Sequence, residues 1–112
     1  MSGSQTSGSQ TSGVAGLAQF RTELDGIDRH LIELVGRRIE IGRLVGHYKA
    51  EHNIPVMQHG RVDEVLERNA TAGAAVGLDS AFVKQLYQLI IDEMCRVEDD
   101  IVAEATGGLR SS

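Results

Sequence analysis

A chain of 112 residues, 41% hydrophobic and 24% charged, has the composition of a soluble globular protein and the length of one small domain. No apolar run is long enough to span a membrane, and a formal net charge of -5 disfavours nucleic acid as a partner, so any anion-binding site must be local. The N-terminus lacks the basic and apolar regions of a secretory signal, and the one cysteine, Cys95, cannot form an internal disulfide; a cytoplasmic protein is expected.

Residues 2–13 read SGSQTSGSQTSG, a repeated unit with no apolar side chain to bury, so residues 1–15 are expected to form a disordered tail. A helical domain is expected over 16–105, and TGGLRSS, residues 106–112, reads as a second flexible tail. From Leu17 to Tyr48 the apolar residues follow two series seven apart: Leu17, Leu24, Leu31 and Val45, and Phe20, Ile27, Leu34, Ile41 and Tyr48. That is the seam of a long helix, ending near Glu51 or His52 ahead of Pro55. Some 35 residues at about 1.5 Å each give about 50 Å, against a radius of gyration near ~13 Å for a compact domain of this size. A partner must therefore cover the seam. Gly26, Gly36, Gly42 and Gly46 within this helix each cost about 1 kcal/mol relative to alanine, which close helix approach must offset.

A second helix is predicted from Gln58 or Gly60 to Ala72, with Val62, Val65, Leu66 and Asn69 on one side, before TAGAAVG breaks the pattern. Asp79 is a good N-cap for a third helix, in which Phe82, Leu86, Leu89, Ile90, Met94, Val97 and Ile101 are spaced for a buried stripe. No segment alternates at period two. The fold class is all-α, with long, short and medium helices.

Arg38 occupies a seam position that calls for an apolar side chain, so it snorkels, pairs with a buried carboxylate, or binds something anionic. Lys49, 11 residues on, returns to within about 20° of the same face, about 16 Å along the axis, so two long cations can converge on a small dianion. Taken singly, Lys49 is a solvated lysine at a helix end, where cations are favoured. Arg21 precedes Arg38 by about 25 Å of helix, too far to share a small ligand within one chain; in an antiparallel dimer it reaches the partner's site. Arg61 opens the second helix, where free backbone amides add to its attraction for a carboxylate, although singly it reads as a surface arginine. Glu98, at the edge of the third helix's stripe, singly reads as a solvated acid like Asp99 and Asp100. His30, His47, His52 and His59 make no recognisable ligand set, and there is no P-loop, dinucleotide fingerprint or nucleophile elbow. No metal and no cofactor are expected, and an aromatic content of 4% argues against a stacking platform for bases.

The segments FRTELDGIDRHLIELVGRRIEIGRLVGHYKAEHNIPV, GRVDEVLERNA and GLDSAFVKQLYQLIIDEM, in this order and spacing, resemble the all-α chorismate mutases over about Gly16 to Val102. The resemblance implies an intertwined homodimer of three-helix chains whose active sites are built from both subunits, and a small dicarboxylate as substrate. It implies that Arg21 crosses from the partner subunit to grip a substrate carboxylate, that Arg38 and Arg61 hold carboxylates from within, and that Lys49 bridges a carboxylate and the ether oxygen. The family's [3,3] rearrangement breaks that ether bond as a carbon–carbon bond forms, with no covalent intermediate. Catalysis then consists of holding a compact conformer and stabilising negative charge on the oxygen.

Departures from the family pattern are informative. Glu98 stands where many members carry a glutamine that donates to the ether oxygen; a carboxyl donates only when protonated, so burial is expected to favour its neutral form. Val62 replaces a glutamate that holds the C4 hydroxyl, Gln58 an aspartate, and Met94 a small hydroxyl residue. The C4 region thus reads as retuned, and 4-amino-4-deoxychorismate, rearranged by relatives in antibiotic pathways, is the expected substrate, with Gln58 accepting from its amino group. Ordinary chorismate is the next choice and the isochorismate pyruvate lyases, which share valine at this position, the third. A non-catalytic helical dimerisation module explains the seam but not Arg38.

Overall fold

A computed structural model describes residues 9–106, with side chains from residue 13. These residues form three helices and no strand: α1 (Ser9–His52), α2 (His59–Ala75) and α3 (Ser80–Ala105). None of them is long and apolar enough to cross a membrane. The chain divides into two compact units, 1–37 and 38–112.

The first unit holds the N-terminal part of α1. This helix begins at Ser9, earlier than the tail expected over residues 1–15; extending an established helix costs far less than nucleating one, so poor helix formers are recruited at its end. Residues 1–8 and 107–112 lie outside the described residues. The apolar series Leu17, Phe20, Leu24, Ile27, Leu31 and Leu34 is 50–63% exposed.

In the second unit α1 stops at His52. Asn53 takes the left-handed conformation (φ 55°) and the Ile54 amide donates back to the Lys49 carbonyl at 3.0 Å, which closes the helix ahead of Pro55. The extended Gln58 (φ -124°, ψ 100°) caps α2 without using its side chain.

The predicted break at TAGAAVG comes later than expected. Helix α2 runs through Gly73 to Ala75 and ends in a Schellman motif: the Gly77 amide donates to the Ala74 carbonyl and the Leu78 amide to the Gly73 carbonyl. Only Gly77, at φ 86°, acts as the breaker. Asp79 caps α3 as expected, its carboxylate accepting from the Phe82 amide at 3.0 Å.

The buried apolar residues are Val65, Ala70, Val83, Ile91 and Val97, where α2 and α3 pack as a helical hairpin. The inward face of α3 shares the C-terminal half of the predicted stripe and departs from its N-terminal half. Phe82, Leu86 and Leu89 are 51, 37 and 69% exposed, whereas Val97 is buried and Ile90, Met94 and Ile101 are half-buried as the predicted stripe requires; the inward face also takes in Val83, Tyr87, Ile91 and Glu98. Glu98 is the charged member of this face, which a search for apolar spacing passes over.

Candidate functional site

A cavity of about 390 Å³ opens within the second unit, bounded by the C-terminal part of α1, the loop after it, the start of α2 and the inward face of α3. That volume suits a small organic ligand. Arg38, Lys49 and Arg61 supply cations to its lining, Gln58 and Glu98 polar groups, and Val62 and Met94 apolar wall. These seven residues, the candidates in the sequence for one site, line one cavity. Arg21 is exposed on the part of α1 in the first unit.

Lys49 Nζ donates to Glu98 Oε1 at 2.8 Å and to the Val56 carbonyl at 2.8 Å. The side chains are 15% and 6% exposed, so this is an inward-facing pair and neither residue is the solvated group it reads as singly. Glu98 is buried, and it accepts an ammonium hydrogen bond where the sequence leads one to expect a carboxyl that donates.

Among the described residues Arg38 pairs with no acid, at the surface or buried. Its Nη1 is buried with no hydrogen-bond partner, and its guanidinium carbon lies 5.7 Å from the centroid of the Tyr87 ring. A cation–π contact at this distance orients the guanidinium without using its donors. A buried guanidinium nitrogen without a partner, beside a cavity, can take an anionic acceptor, because leaving such a donor unmet is costly.

Arg61, in the first turn of α2, is exposed and pairs with Glu64 at 2.9 Å while still lining the cavity. An exposed pair of this kind is weak enough to yield to a ligand carboxylate. At the start of α2 the first backbone bond runs from the Val62 amide to the Gln58 carbonyl, and the preceding amides add positive potential there.

The model of the chorismate mutase type II family matches residues 20–99. The chain belongs to this family. It is 46% identical, over 78% of its length and 84% of the relative, to a 4-amino-4-deoxychorismate mutase of Streptomyces venezuelae. It is 39% identical, over 78% of its length and 67% of the relative, to a 4-amino-4-deoxychorismate mutase of Streptomyces pristinaespiralis. The bifunctional chorismate mutase/prephenate dehydratase of Escherichia coli K12 is 34% identical over 69% of this chain, which covers 20% of that longer protein. This chorismate mutase family member is a mutase-type isomerase.

Three lining or supporting groups of the mutase escaped the sequence reading. Tyr87 lies seven residues before Met94 and 11 before Glu98, so helical spacing alone put it on their face. Cys95 lines the cavity, and burial, followed by the charges of Glu98 and Asp99, pushes its thiol up from the ordinary range. The Val56 carbonyl belongs to the loop, where no side-chain pattern announces it.

Proposed function

We propose that this mutase rearranges 4-amino-4-deoxychorismate to 4-amino-4-deoxyprephenate, in a homodimer whose sites are shared between subunits. The observation that carries the reading is the composition of one cavity, in which Arg38, Lys49 and Arg61 lie with an apolar C4 side formed by Val62 and Met94 and with Gln58 beside them. The names of the two Streptomyces relatives favour the same substrate.

In this reading Arg38 and Arg61 hold the substrate carboxylates, and Lys49 and Glu98 face the ether oxygen. The ether carbon–oxygen bond breaks as the new carbon–carbon bond forms within the same molecule, so no proton, electron or group leaves. The protein's part is to hold the chair-like conformer and to meet the negative charge growing on the oxygen with the Lys49 ammonium. Gln58, whose side chain is not spent on capping α2, accepts from the C4 amino group.

The dimer is supported by the exposed apolar series of α1 and by a single-chain core in which no large side chain is fully buried. The partner subunit's Arg21 then completes the cluster of cations. Turnover of purified 4-amino-4-deoxychorismate, chorismate and isochorismate by the full chain tests the substrate. The amino compound is expected to give the highest kcat/KM; a higher value for chorismate, or pyruvate release from isochorismate as the main activity, overturns the reading.

A further inference from the structure

Two glycines mark the close approach of α1 to α3 in the second unit, and they do so differently. A Cβ built on Gly46 would lie 3.2 Å from Glu98 Cα, so Gly46 accommodates the backbone of α3. A Cβ built on Gly42, one turn earlier, would overlap Met94 Sδ and lie 2.8 Å from Met94 Cε. The missing side chain at position 42 is therefore a notch, and the end of the Met94 side chain fills it. Met94 also lines the cavity. The helices cannot simply part to relieve a clash there, because the Gly46 contact and the Lys49–Glu98 pair bind them one to two turns further on. The thioether, with three rotatable bonds, is the part that gives.

We propose that Gly42 is a specificity-determining positioning residue: it parks the Met94 thioether in the α1 notch, and a side chain at position 42 turns that thioether into the substrate space. The inference rests on the cavity being the mutase site. Met94 brings no strong donor or acceptor, so it selects substrate by shape, and Gly42 sets that shape without touching the ligand.

The test compares Gly42→Ala, Met94→Ala and the double variant of the full chain. Alanine is favoured over glycine inside a helix, which offsets the lost packing of a displaced thioether, so the Tm of Gly42→Ala is expected to stay close to that of wild type. Its kcat/KM is expected to fall about tenfold, chiefly through KM, and the double variant to regain most of the loss. Alkylation of Cys95 by iodoacetamide at pH 9 reads the same cavity without any turnover: it slows in Gly42→Ala and recovers in the double variant. Wild-type KM and alkylation in Gly42→Ala, or equal losses in Gly42→Ala and the double variant, overturn the proposal. If Gly42→Ala does not fold, the double variant is expected to do so, and its failure overturns the proposal as well. A wild-type chain inactive on every substrate removes the mutase reading, while the alkylation series still decides whether Gly42 positions Met94.

Discussion

Lys49 Nζ lies 2.8 Å from Glu98 Oε1, although 49 positions separate the two residues in sequence. The same ammonium reaches the Val56 carbonyl, so two of its three protons are committed to the protein and one is left to direct at a ligand. The pair also ties α1 to α3 at the cavity wall, which joins the stability of the second unit to the order of its site.

Breaking this pair from one side leaves a charge buried without its partner. Lys49→Met strands the Glu98 carboxylate, whose side chain is 6% exposed, and is expected to destabilise the fold by about 3 kcal/mol. Replacing both, as in Lys49→Met/Glu98→Leu, removes the stranded charge and recovers most of that loss. Urea unfolding of the single and double variants measures the difference; additive losses would mean that the pair contributes nothing as a pair.

Arg38 carries the opposite expectation for stability, because its buried Nη1 has no partner to lose. Arg38→Leu is expected to leave the urea midpoint at or above wild type while kcat/KM falls about a hundred- to a thousandfold. A dimer with shared sites adds a sharper consequence. Mixing inactive Arg38→Leu and Arg21→Ala subunits gives heterodimers with one intact site each, and random exchange restores about a quarter of wild-type activity. Mixtures as inactive as their parents would rule out a site completed by the partner subunit's Arg21.

The three helices and the cationic cluster were legible because each leaves a periodic or interrupted signal: the seven-residue series of α1, Arg38 breaking it, and Asp79 opening α3. The inward face of α3 was legible only in its C-terminal half, at Met94 and Val97; Val83 and Ile91 lie one position from the apolar residues that the spacing selects, and Glu98 is a charge. The end of α2 was misplaced because Gly73 and Gly77 look alike in sequence, and only backbone geometry shows that Gly77 alone needs positive φ. Close approach at Gly42 and Gly46 had been expected as the offset for helical glycines. Gly36, with open space around its Cβ position, shows that the cost alone does not say which glycines are so used.

Cys95 gives a chemical reading of the cavity that needs no substrate. Burial raises its thiol above the ordinary range, the charges of Glu98 and Asp99 raise it further, and Lys49 lowers it by less. The thiolate is the reactive form, so at pH 8 alkylation is expected to be slower than that of free cysteine and to climb as pH rises through the elevated pKa. Glu98→Gln removes one of the charges that hold the thiol up and frees Lys49 from its acid partner. Both changes favour the thiolate, and alkylation at pH 8 is expected to quicken. A dicarboxylate bound at Arg38 acts in the reverse sense, adding negative charge and closing access to Cys95. The rate measured with and without such a ligand therefore reports occupancy, and a rate indifferent to both Glu98→Gln and ligand would separate Cys95 from the site.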